Sequence, residues 1–220
     1  MGLYVDPNEA LFRMSVNSRI YVDKSMLIHE LNGILNTEER FVCIARPRRF
    51  GKSMAANMLA AYYSKNANSR PIFEKLKIAK APDFETYLNA FHVIHIDVNA
   101  CYSGSSREEN IVPLFTAKVR RDMKKIFPDC GINDSDALDD CIMKVYEETG
   151  EQFVMILDEY DVLVREQVKS SIFDPYLAFF NGMFKNINLA PAFALVYLTG
   201  ILPVVRDRIQ SKLNLFTEYT

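Results

Sequence analysis

Apolar residues along this chain gather into four short runs, at 41–45, 93–98, 153–157 and 193–198, each bounded by polar or turn-forming residues. Runs of that length, rich in branched and aromatic side chains, predict strands covered on both faces. Between them the spacing turns helical. Residues 52–64 carry Met54, Met58, Leu59 and Tyr62 on one face, and 112–127 is amphipathic and basic at its end. Residues 134–149 repeat Leu138, Cys141, Ile142 and Val145, with Ser135 as N-cap and Gly150 as stop. Pro175 suits the first turn of a helix running through Phe184, and an earlier helix is expected over 25–35. The polar stretch CYSGSSREEN at 101–110 reads as a loop. Strands alternating with helices predict an α/β fold, a mostly parallel sheet with helices on both faces and ligands at the strand ends.

Composition narrows the class. The chain has 220 residues, 49% hydrophobic and 25% charged, which fits a soluble globular protein with one sizeable core. A net charge of −2 excludes a surface that is a polyanion binder throughout, so any basic function is local. Cys43, Cys101, Cys130 and Cys141 are widely spaced, which fits buried thiols in a reducing compartment better than a disulfide framework or zinc site. The N-terminus has no signal-peptide pattern, and Asp6 stands where a myristoylation motif needs Ser or Thr. The longest uncharged run, 186–205, is interrupted by Asn186, Asn188, Pro191 and Pro203, so it is read as a buried strand and turn, not a membrane span. No membrane association and a cytoplasmic location are expected.

Chemistry concentrates at the ends of the predicted strands. From Ile44 to Met54 the chain reads I-A-R-P-R-R-F-G-K-S-M. A phosphate-binding loop has the form G-x-x-x-x-G-K-[ST], because backbone N–H groups must converge on phosphates without intruding side chains. Here Arg46 replaces the first glycine, while the second half is intact. Gly51 permits close backbone approach, Lys52 can reach the β- and γ-phosphates, and Ser53 can hold Mg²⁺. The candidate nucleotide segment is Arg46, Pro47, Arg48, Arg49, Phe50, Gly51, Lys52, Ser53 and Met54. The competing reading is a basic surface turn before an ordinary helix.

The run F-V-M-I-L-D-E-Y-D, 153–161, changes that balance. A hydrophobic strand delivering Asp158 at its tip would supply a metal ligand beside Ser53, and Glu159 could accept the proton of an attacking water. The alternative is a strand that merely ends in surface carboxylates. Thr199 closes the run F-A-L-V-Y-L-T-G and would point at the γ-phosphate or the water between the two motif strands; otherwise it caps the Gly200 turn. The strand at 93–98 lies between the motif strands along the chain, an arrangement that matches the additional-strand branch of P-loop ATPases.

Together, R-P-R-R-F-G-K-S and I-L-D-E-Y-D resemble the bacterial AAA-ATPase-like domain proteins, whose members commonly carry R-P-R-R-F-G-K-[ST]. I-Y-V-D-K-S at 20–25, I-F-E-K-L-K-I at 72–78 and L-T-G-I at 198–201 agree, and the resemblance extends from about Tyr21 onward. It implies a P-loop NTPase fold of the AAA type, ATP and Mg²⁺ as ligands, and Arg46 as a family habit. In many members a PD-(D/E)XK nuclease-like domain follows, and an attached or partner module, or a homo-oligomer, is compatible with it. No nuclease pattern can be placed here, so nucleic acid enters only indirectly. The family's ATPase region normally continues beyond Thr220. The expectation is therefore one domain over 1–220, with 1–20 as an N-terminal extension, cut before its C-terminal part and lacking the fifth core strand and any lid.

The remaining charged residues leave choices open. Of Arg46, Arg48 and Arg49, one could contact a phosphate bidentately and another could pair with Asp158, Glu159 or Asp161. Arg206 and Arg208 could bring charge to the γ-phosphate, in the same chain or a neighbour, or line a solvated helix face. Asp23 and Lys24 are placed near the base. His92 and His95 have the odd spacing that sends strand residues to opposite faces, against a metal site. Lys52, Glu159, Thr199 and Arg206 are thus the candidate catalytic residues, with Ser53 and Asp158 at the metal. The expected function is Mg-dependent ATP hydrolysis coupled to a conformational switch. Rival readings are a nucleotide-binding switch with little turnover, and a nucleic-acid-associated module using the basic loop and the run 118–125.

Overall fold

The computed structural model describes residues 2–106, 109–203 and 214–220. Its centre is a sheet of β1 (Phe41–Ala45), β2 (His92–Asp97), β3 (Phe153–Asp158), β4 (Phe193–Gly200) and β5 (Thr217–Tyr219), ordered β2-β3-β4-β1-β5 with every neighbouring pair parallel. β3 and β4 are buried along their whole length, as their unbroken apolar runs predict.

Alternation sorts the side chains onto two faces. Val42, Val154, Ile156, Leu195 and Tyr197 pack with Met58, Leu59, Tyr62 and Tyr63 of the helix Lys52–Tyr63. Cys43, Met155, Leu157, Val196 and Leu198 pack against the helices Ile111–Ile126, Leu138–Thr149 and Ser170–Phe184. The layered architecture is therefore the expected α/β sandwich.

Four local expectations change. The chain does contain a fifth strand: Thr217–Tyr219 pairs with β1 through Val42↔Thr217, Cys43↔Glu218 and Ile44↔Tyr219. Three residues with only partly apolar sides leave no run for sequence reading to detect. The predicted loop at 101–110 overlaps a short helix, Val98–Ser103, because Asp97 Oδ1 accepts from the Ala100 N–H at 2.8 Å while Val98, Cys101 and Tyr102 are buried. Ser135 is not an N-cap. Its neighbour Asp136 is spent on a turn, accepting from Asn133 N at 2.8 Å and pairing with Lys144 at 2.6 Å, so the helix starts at Leu138. Pro175 lies inside Ser170–Phe184, since the apolar stripe already begins at Ile172 and Phe173 and outweighs one missing N–H.

Two helices, α1 (Ala10–Val16) and α2 (Met26–Asn32), precede β1, and the segment before α1 covers the outer edge of β2. Val5 bridges Ile94 in antiparallel sense, Asp6 N donates to Val93 O at 2.8 Å, and His95 N donates to Tyr4 O at 2.9 Å. Asp6 also holds His92 Nδ1 at 2.7 Å. An edge that would otherwise offer unpaired backbone groups is thus closed from within the chain. Among the described residues no helix is long and apolar enough to cross a membrane.

Candidate functional site

The sheet register assembles the site. At the carboxyl ends of the strands, Asp97 aligns with Asp158, Asp158 with Thr199, and Thr199 with Ile44. With a side-chain period of two, this row shares the face of Val154, Ile156 and Tyr197, which is the face covered by α3 (Lys52–Tyr63). β4 is the strand lying between β1 and β3 in space, so Thr199 sits between the two motif strands.

Leaving β1, the chain keeps one more ladder bond, Arg46 N to Gly200 O at 3.1 Å, and then turns through 47–51 into α3. Arg49 (φ 71°) and Gly51 (φ 80°) are both left-handed. Left-handed residues alternating with ordinary ones turn successive N–H groups toward a common concavity, the geometry of an anion nest. α3 points its positive end into the same space. Lys52 is only 7% exposed and arches back over the loop, donating from Nζ to Arg46 O at 3.0 Å and Pro47 O at 3.1 Å. Because Arg49 holds a conformation that glycine adopts freely, Arg49→Gly is expected to leave stability unchanged or raise it by up to about 1 kcal/mol. A thermal melt of the variant checks this.

Ser53, in the first turn of α3, lies against the Asp158 carboxylate, close enough to favour its ionised form. The cationic loop and the acidic strand tip therefore meet. Asp158 is 3% exposed, and burial, with the charges of Asp97 and Glu159, pushes its pKa from 3.8 up to about 6 despite the Ser53 contact. Thr199 is fully buried, and its Oγ1 has no hydrogen-bond partner among the described residues. An orphaned hydroxyl in this row, beside a serine hydroxyl and a carboxylate, is a hard-oxygen donor set that fits Mg²⁺ and phosphate better than a soft metal.

Glu159 has a left-handed backbone (φ 56°), with its N–H on Asp158 Oδ1 at 3.0 Å. Its carboxylate forms an ion pair with Arg165 at the end of the short helix Val162–Arg165. Arg165 Nε also lies 3.2 Å from Asp161 Oδ1, and Asp161 Oδ2 accepts from Ile201 N at 2.9 Å and Leu202 N at 2.8 Å. Gly200 has no room for a side chain: a Cβ there would stand 2.8 Å from Asp161 Oδ1 and from Tyr160 Cε1. Tyr160 N donates to Thr199 O at 3.1 Å. The end of β4 and the acidic tip of β3 are therefore one rigid unit.

Several expectations are corrected by this geometry. The partner of Glu159 and Asp161 is Arg165; among the described residues Arg46, Arg48 and Arg49 form no ion pair and stay exposed on the loop. The spacing Asp161 to Arg165 is the i,i+4 of a helix, the one signal that could have singled it out. Asp23 turns away to anchor its own segment, whereas Lys24 touches the loop itself, donating to Phe50 O at 3.0 Å. Arg206 and Arg208 lie outside the described residues. The run 118–125 belongs to the helix on the other side of the sheet, where Lys124 pairs with Asp134 at 2.6 Å, so it forms no common surface with the loop arginines.

A cavity of about 740 Å³ opens beside the loop, lined by Lys24, Leu27, Leu31, Ile44, Tyr197 and Tyr219 among others. That volume and largely apolar lining suit a small-molecule ligand with an aromatic part.

A parallel β2-β3-β4-β1-β5 sheet, with the loop between β1 and α3 and an acidic tip on β3, defines a P-loop nucleoside-triphosphatase fold. The chain belongs to the family described as Predicted AAA-ATPase, which it matches over residues 11–210. No curated protein matches it. Among solved structures it is similar to PCH-2 of C. elegans at 14% identity, with a TM-score of 0.38, over 96% of this chain and 40% of that one.

Proposed function

We propose that this chain binds Mg·ATP at residues 46–54 and hydrolyses it. The observation that carries the reading is the contact of Ser53 with the Asp158 carboxylate, which brings the end of the cationic loop to the acidic tip of β3. Backbone N–H groups of 48–53 and the Lys52 ammonium hold the phosphates, Lys52 exchanging its two carbonyl partners for phosphate oxygens. Ser53 and Asp158 would hold Mg²⁺, which when bound neutralises phosphate charge. Glu159 takes a proton from water as the water oxygen bonds to the γ-phosphorus and the bond to the β–γ bridging oxygen breaks. Thr199 orients the water or the γ-phosphate, with its free hydroxyl as the support. The nucleotide state reaches an attached module through the segment after β4 that Asp161 holds.

A second reading has its own support. Glu159 is paired with Arg165, so it must leave that partner before it can act as a base. A binding switch with slow turnover follows if it does not.

Titration with Mg·ATP and Mg·GTP tests the site. Lys52→Ala is expected to weaken binding by about a hundredfold. Glu159→Gln is expected to keep binding and lose about 10²–10⁴ in turnover. Wild type and Glu159→Gln turning over equally would decide for the switch; Lys52→Ala binding like wild type would remove the site altogether.

A further inference from the structure

Lys24 lies outside the phosphate loop yet is built to touch it. Its neighbours are fixed: Asp23 accepts from Ser25 N and Lys77 N, each at 2.8 Å, and the fully buried Ser25 accepts at Oγ from Ile78 N at 3.1 Å. The backbone on both sides of Lys24 is thus tied to the 3₁₀ turn Lys77–Lys80, and the lysine is presented outward from a rigid base. Its ammonium donates to Phe50 O at 3.0 Å and would stand 3.8 Å from a Cβ on Gly51. Lys24 also lines both the 740 Å³ cavity and a second one of about 420 Å³, and Phe50 and Gly51 line both as well.

The peptide between Phe50 and Gly51 is planar and trans, so its C=O and N–H point in opposite directions. A cation holding the Phe50 carbonyl on one side therefore sets the Gly51 N–H on the other. That N–H makes no hydrogen bond among the described residues. The loop needs such a clasp more than most. Arg46 stands where a glycine is usual, and Arg49 adopts a conformation that costs an L-residue energy, so the turn must be held from outside.

We propose that Lys24 is a positioning residue of the nucleotide site, an external clasp that orients the Phe50–Gly51 peptide and readies its N–H for a phosphate oxygen. The inference rests on the nucleotide reading above. It assigns the work of Lys24 to the phosphate part of the ligand and not to the base, and it distinguishes Lys24 from Lys52, which lies inside the cradle.

Lys24→Met keeps the stem and removes the charge; Lys24→Arg restores a donor. Affinities of the full chain for Mg·ATP, ADP and inorganic pyrophosphate are measured beside Lys52→Ala, with a thermal melt of each variant. Lys24→Met is expected to weaken all three ligands by about tenfold, with an unchanged melting temperature, and Lys24→Arg to recover to within about threefold of wild type. Unchanged affinities in Lys24→Met, with Lys52→Ala still defective, would overturn this inference and leave the nucleotide site standing. A loss for ATP and ADP but not pyrophosphate would also overturn it, because Lys24 would then be touching the nucleoside. A wild type that binds none of the three removes both readings.

Discussion

Asp158→Asn is expected to make the ligand-free protein more stable at neutral pH while destroying its response to Mg·ATP. The Asp158 carboxyl titrates at about 6 in the folded chain against an ordinary 3.8, chiefly because it is buried. Between those two values the folded state binds more protons than the unfolded state, so stability falls as pH rises from about 4 through 6. Above that window the ionised carboxylate costs up to about 3 kcal/mol, a cost that Asn does not carry. Melting curves should converge for wild type and variant near pH 4 and separate by pH 8, with the variant higher. Adding Mg·ATP at pH 8 should raise the wild-type melting temperature and leave the variant where it was. A difference between the two proteins that does not change with pH would mean that Asp158 is not held as a buried charge. The stability given up at this position is the expected signature of a carboxylate kept for a ligand and not for the fold.

Asp161→Ala is expected to be the most damaging single change to the fold near the site. The carboxylate is fully buried and accepts from Ile201 N and Leu202 N, and the Arg165 guanidinium lies beside it. Removing it leaves two N–H groups and part of a largely buried cation without partners, a loss of about 3–5 kcal/mol. Asp161→Asn retains one accepting oxygen and should fall between the variant and wild type. Urea denaturation measures both. A loss below about 1 kcal/mol would show that the end of β4 is held by something else. Because Arg165 also carries Glu159, the same change leaves Glu159 as the remaining carboxylate on that cation, so Asp161→Asn is the variant in which lowered turnover with preserved binding would be looked for.

The candidate site was legible where its chemistry is local. Gly51-Lys52-Ser53 follows an apolar run, and Asp158-Glu159 ends another; strand, turn and helix start are each dictated by a few consecutive residues. Arg49 shows where that legibility stops. Nothing in R-P-R-R-F says which residue takes the left-handed conformation, since that choice depends on how the loop closes onto α3 and on Lys24 reaching Phe50 O from a distant segment.

By itself, the sequence determined the four long strands, the helix after the loop, the family and the residue types gathered at the strand ends. These follow from periodicity and short motifs, which are properties of neighbours in the chain. The tertiary structure alone decided that β4 lies between β1 and β3, that Thr217–Tyr219 completes the sheet, that Arg165 and not a loop arginine meets Glu159, and that Lys24 reaches the loop. Apolar alternation specifies which side of a strand faces inward but not which strand lies alongside. Pairing and ion-pair choice are set by contacts between segments far apart in the chain, and those exist only once the core has closed.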